Sequence, residues 1–135
     1  MNMPNPYQQY RVNNILTADP GRLALMVFTE AAKVTRQAAE ALGRADTVTA
    51  HRGLLRAQEL VSYLVETVDT SLEVGQGLAA LYDYFHRRLV EANVGKDREI
   101  AEEVAGMLDE LRGTWEQALG KQGASPAPAG TPGGE

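Results

Sequence analysis

The chain has no cysteine. A disulfide framework, a thiolate zinc site and a cysteine nucleophile are therefore excluded. Proline is scarce where it would matter most. The six prolines stand at positions 4, 6, 20, 126, 128 and 132, so Gly21 to Ser125, a run of 105 residues, contains none. Long helices are permitted there, because an interior proline costs a helix roughly 3 kcal/mol. No apolar run approaches the roughly 20 residues needed to span a bilayer. The start, MNMPNPYQQY, lacks the basic residues and apolar core of a secretory signal. Basic charge is thin as well. The net charge of −5 divides into +2 over residues 1–44, −3 over 45–93 and −4 over 94–135. The one basic doublet, Arg87-Arg88, is flanked by Asp83 and Glu91. Nucleic-acid binding and membrane insertion are not expected. These absences point to a one-domain protein of the cytoplasm.

What is present is helical periodicity. Four stretches carry apolar residues at spacings of three and four. The first is expected from about Pro20 to Ala45, with Asp19 as N-cap and Pro20 at the first helical position. Its stripe is Leu23, Met26, Val27, Val34, Ala38 and Leu42, and Gly43 is the expected stop. The second runs from about Thr47 to Ser71 behind Asp46, striped by Leu54, Ala57, Val61, Leu64, Val68 and Leu72. Leu55, Leu60 and Val65 widen that stripe, which predicts burial on more than one side. The third runs from about Gln76 to Asn93 with Leu78, Leu81, Tyr82, Phe85 and Leu89 on one face. The fourth runs from about Asp97 to Leu119 with Ile100, Val104, Met107, Leu108, Leu111, Trp115 and Leu119. Loops of a few residues make sequential helices antiparallel neighbours. The fold class expected is all-α, an antiparallel up-down four-helix bundle with an N-terminal arm or short helix.

Three regions follow. Residues 1–18 form an arm that packs on the bundle, since Tyr7, Tyr10, Val12, Ile15 and Leu16 need cover and so short a helix is marginal alone. Residues 19–120 form the bundle. Residues 121–135, KQGASPAPAGTPGGE, hold no large apolar side chain and read as a disordered Gly/Pro/Ala-rich tail.

Catalysis needs groups that converge. Asp83 and His86 have the spacing of a carboxylate–histidine pair in bundle di-iron sites. Such sites need that motif twice, and His51 is preceded three residues earlier by Val48. Two surface histidines are the simpler expectation, with no catalytic residue, metal site or cofactor. Gly75-x-Gly77 reads as a flexible turn before the third helix rather than a phosphate loop. Three of the eight aromatic residues, Tyr82, Tyr84 and Phe85, are more informative. Tyr82 and Phe85 share a face, whereas Tyr84 lies about 100° from Phe85 around the helix. Apolar groups on a second face suggest a groove that receives an amphipathic or unfolded segment. A helical-bundle adaptor or regulator without a secreted client is the alternative. A metal-binding bundle enzyme is a weaker one.

Three strings carry a resemblance. They are Asn5-Pro6-Tyr7-Gln8-Gln9-Tyr10 with Ile15-Leu16-Thr17-Ala18 and Pro20-x-x-Leu23, then Leu78-x-x-Leu81-Tyr82-Asp83-Tyr84-x-x-Arg87-Arg88-Leu89-x-x-Ala92-Asn93, and Leu108-x-x-Leu111-Arg112-x-x-Trp115. Over about residues 5–119 the chain resembles the flagellar secretion chaperones of the FliS family. The resemblance implies a non-enzymatic, all-helical protein of the bacterial cytosol without a cofactor. It implies binding of the disordered C-terminal segment of flagellin, prevention of premature filament polymerisation, and delivery to the flagellar type III export apparatus. Whether the client-free protein forms a homodimer is left open. Matched residue by residue, the covering arm would use Tyr7, Tyr10, Ile15 and Leu16. Leu81, Tyr82, Tyr84, Phe85 and Leu89 would lie at or beneath the flagellin groove.

Overall fold

Helix boundaries are set by local chemistry that can be followed residue by residue. The computed structural model of the chain describes residues 20–124, with side chains as far as Lys121. The expected arm, the Asp19 cap and the tail beyond Ala124 lie outside the described residues. Helix α1 spans Pro20–Gly43, α2 spans Thr47–Thr67, α3 spans Glu73–Gly95 and α4 spans Arg98–Ala124. Proline starts α1, where its missing N–H is no loss. Asp46 caps α2 by accepting from the Thr49 amide at 3.1 Å, and bonds from Thr49 hold its carboxyl below the ordinary carboxylate range. Asp97 caps α4 by accepting from the amides of Glu99 and Ile100 at 3.0 and 3.2 Å.

Helix α1 ends at Gly43, the expected stop, whereas α2, α3 and α4 end elsewhere than expected. A left-handed residue closes α1 and α3, but neither is the glycine the sequence offers nearby. Ala45 takes φ 61° and Lys96 takes φ 50°, while no described glycine has a positive φ. After α1 the Asp46 amide donates to the Ala41 carbonyl at 2.8 Å, and the Ala45 amide donates to that of Leu42 at 3.0 Å. This is the paired bond pattern of a helix end closed by a left-handed residue. Lys96 is held there by its own side chain, whose Nζ donates to the Asn93 carbonyl and side-chain oxygen at 2.6 and 2.7 Å. Alanine has no such compensation, and a Cβ strains the left-handed region. Ala45→Gly should therefore raise the unfolding free energy by about 0.5–1 kcal/mol, readable by urea titration. Helix α2 stops at Thr67, short of the expected Ser71, and Leu72 instead serves as the N-cap position of α3. Helix α4 continues past its expected end near Leu119 to Ala124, with Lys121 in the last turn where the dipole favours a cation.

The four helices make one antiparallel ring. Helix α1 packs on α2 and α4, α2 on α3, and α3 on α4. The broadest contacts are those of α1, whose buried side is built from small residues, among them Ala31, Ala32, Ala38, Ala39 and Ala41. Close approach to α2 is visible at Gly53, where an added Cβ would stand 3.1 Å from that of Ala38. Phe28, Leu54, Val61, Phe85, Leu89, Val104 and Leu108 fill the centre and are fully buried. The wide apolar arc of α2 is not buried on two sides. Leu55 and Val65 are each 42% exposed, because a four-membered ring covers one stripe of each helix.

One polar atom sits badly in this core. Thr35 is fully buried on α1, and its hydroxyl has no hydrogen-bond partner. An unmet buried hydroxyl costs about 1–3 kcal/mol. Thr35→Val keeps the shape and removes the unmet group, so it should raise stability by about 1 kcal/mol in a thermal or urea melt.

Candidate apolar groove at the Trp115 end of the bundle

The α1 start, the α2 end, the α3 start and the last turns of α4 meet at one end of the ring. There they leave a cavity of about 380 Å³. Leu23 and Ala24 come from α1, Leu64 from α2, Leu78 and Tyr82 from α3, and Trp115 from α4. The α2–α3 turn adds Val68 and Leu72 and the first turn of α3 adds Val74, with Leu72 and Val74 exposed by 54% and 67%. Two of its lining rings, Tyr82 and Trp115, pack against a third that is buried behind them. Phe28 meets Trp115 edge to face with ring centroids 5.2 Å apart, and meets Tyr82 at 6.1 Å. Trp115 is held at the mouth because its indole N–H donates to the Gly21 carbonyl at 2.8 Å.

The turn that forms the outer wall is pinned by its own polar groups. Asp69 Oδ1 accepts from both the amide and the hydroxyl of Ser71, at 3.0 and 2.6 Å. Those bonds hold the Asp69 carboxyl below the ordinary range. Gln76 Nε2 donates to the Thr70 carbonyl at 3.1 Å. Gly75 is buried beneath the turn, and a Cβ there would lie 1.8 Å from the Asp69 carbonyl oxygen. Gly75 is thus not part of a flexible turn before α3. It is a helical residue over which the turn backbone passes at a distance no side chain allows.

The site residues expected from the sequence are distributed over three environments. Tyr7, Tyr10, Ile15 and Leu16 lie outside the described residues. Tyr82 lines the cavity at 2% exposure. Phe85 and Leu89 are fully buried in the centre. Leu81 and Phe85 also border a shallower groove between α3 and α4, together with Met107 and Leu111. Tyr84 does point away from the Tyr82 face, but toward α4. Its hydroxyl donates to Glu103 at 2.6 Å, and Arg88 reaches the same carboxylate at 2.7 Å. The bonds from Tyr84 and Arg88 hold the Glu103 carboxyl below its usual range, and the bond to Glu103 pushes the Tyr84 phenol up. A carboxyl depressed in the folded state stabilises it at neutral pH and loses that effect as pH falls through its folded value. The melting-temperature deficit of Tyr84→Phe should therefore shrink between pH 7 and the acid range.

Sequence spacing did not point to Leu72, Val74 or the cavity side of Trp115. The available signal was two aliphatic residues, Leu72 and Val74, next to a Gly-x-Gly, but the helical stripe takes Leu72 into α2 and leaves Val74 unassigned. Among the described residues no three His, Asp or Glu side chains gather as a ligand set. Asp83 pairs with Arg87 at 3.0 Å, and His51 Nδ1 is 3.2 Å from Asn93 Oδ1. No helix among the described residues is long and apolar enough to cross a membrane.

Fold and cavity together define a four-helix bundle organised around an apolar groove that four separate segments build. Residues 3–122 match the family described as "Flagellar protein FliS". The chain belongs to that family. It is 36% identical over 119 residues to the flagellar secretion chaperone FliS of Bacillus subtilis, covering 88% of this chain and 90% of that one. It is 30% identical over 115 residues to FliS of Salmonella typhimurium, covering 82% of this chain and 85% of that one. The same identity over 115 residues holds for the flagellar secretion chaperone FliSB of Pseudomonas aeruginosa, over 82% and 90% of the two chains.

Proposed function

We propose that this chain is a flagellar export chaperone that binds the disordered C-terminal segment of flagellin in the bacterial cytosol. The bound segment is withheld from filament assembly and delivered to the flagellar type III export apparatus. The observation that carries the reading is the apolar groove at the Trp115 end in a member of a family whose relatives are named flagellar secretion chaperones. Burying apolar surface there favours binding by roughly 25 cal/mol per Å², offset by the cost of ordering the client. No bond is made or broken, so the role is binding rather than catalysis.

Residues 1–18 act as a reversible cover. Pro20 and Gly21, where this segment joins α1, themselves line the groove. Tyr7, Tyr10, Ile15 and Leu16 supply apolar side chains that compete with the client. Calorimetry with a flagellin C-terminal peptide tests both statements. Saturable binding is expected, and removal of residues 1–18 should tighten it, because the client no longer displaces the cover. Absence of saturable binding to either form would refute the chaperone reading.

A further inference from the structure

The wall of the groove holds one polar group whose situation differs from its neighbours. Thr67 spends its hydroxyl on the Tyr63 carbonyl at 2.9 Å, Asp69 spends its carboxylate on Ser71, and Trp115 spends its N–H on Gly21. Tyr63 is 38% exposed and open to water. Tyr82 is only 2% exposed, lines the cavity, and its hydroxyl has no hydrogen-bond partner among the described residues. Burial alone, with no bond to offset it, pushes the phenol up to about 12. It therefore stays protonated and remains a donor across the physiological range. The hydroxyl oxygen is not among the fully buried unpartnered atoms, so it is reachable from the cavity, and an apolar segment that filled the cavity without offering an acceptor would leave it unmet. Phenylalanine would fill the same space and meet such a segment without that cost.

We propose that Tyr82 is a specificity-determining residue, whose hydroxyl donates a hydrogen bond to a neutral carbonyl oxygen presented by the client segment among its apolar side chains. This rests on the reading that the groove holds the flagellin C-terminal segment. The acceptor is a backbone carbonyl at a helix end or an Asn or Gln side chain. A carboxylate would have to be desolvated among Leu23, Leu78 and Trp115, which no nearby cation offsets among the cavity-lining residues. The groove thereby prefers a segment with one acceptor at the right register over an equally greasy segment without one. A buried donor left unpaired rejects the latter.

The test is full-length Tyr82→Phe against the unaltered chain, titrated with a synthetic flagellin C-terminal peptide and melted without it. The ring and its contact with Phe28 are retained, so apolar packing is preserved. The expected result is a three- to tenfold weaker Kd, the range of one neutral hydrogen bond. The melting temperature of the free variant should be unchanged, because the ring keeps its packing and the hydroxyl has no protein partner to lose among the described residues. A lower melting temperature with unchanged affinity would make Tyr82 a packing residue and overturn the proposal. Equal or tighter binding by the variant would likewise show that the client does not meet the hydroxyl. No binding by the unaltered chain would remove the chaperone reading and this inference together.

Discussion

Phe28→Ala is expected to lower the unfolding free energy by about 4 kcal/mol, the largest loss from any single truncation here. Phe28 is fully buried and touches two other aromatic rings, Tyr82 at 6.1 Å and Trp115 at 5.2 Å. Removing it forfeits the transfer energy of the ring and leaves a void. That void cannot collapse easily, because Trp115 is tethered to the Gly21 carbonyl and the neighbouring α1 positions are already alanine. A domain of this size has a total stability of about 5–15 kcal/mol, so about a quarter or more would be lost. Urea denaturation should show a lower midpoint with an unchanged slope. A loss below about 1 kcal/mol would mean that the aromatic cluster behind the groove repacks freely, and that the groove is not a preformed feature.

The second large effect is at Gly75, and its sign is opposite to the helical-propensity rule. Alanine in place of an interior helical glycine ordinarily gains up to about 1 kcal/mol. At Gly77 nothing stands within 4 Å of an added Cβ, so Gly77→Ala should show that gain. At Gly75 the same methyl would stand 1.8 Å from the Asp69 carbonyl oxygen. Backbone cannot swing aside as a lysine tip would, and the turn is pinned by Ser71 and by Gln76. Gly75→Ala should cost about 2 kcal/mol net, within the range of overpacked sites. It should also weaken binding of the flagellin peptide, since the displaced turn carries Val68 and Leu72 into the groove wall. Urea melts of the two alanine variants side by side provide the check. If both variants gain stability, the turn is not fixed over α3.

The two glycines show how far the sequence can be read. They are separated by one residue, and nothing in their local pattern distinguishes them. What separates them is a carbonyl six positions upstream that the turn folds over one and not the other. Tyr84 teaches the same lesson. Helical geometry correctly turns it away from Phe85, but the direction alone cannot say whether that face meets a client or a neighbouring helix. The carboxylate of Glu103, 19 residues away, takes up its hydroxyl. The helix ends illustrate a third case. Glycine near a helix end is a fair signal of a left-handed stop, yet Ala45 and Lys96 hold those positions because the preceding turns bond to them in register.

Local chemistry by itself determined the number, type and order of the helices. A proline-free body, stripes at spacings of three and four, aspartates before α2 and α4 and short connections admit little else. The strings around Tyr82 and Trp115 also carried the family. The groove was decided only by tertiary structure, because its walls come from Leu23, Leu64, Leu72, Tyr82 and Trp115, on four helices and a turn. A stripe of apolar residues states that a face will be buried. It does not state which of those side chains will close the core and which will be left at its open end, because that depends on where the neighbouring helices stop.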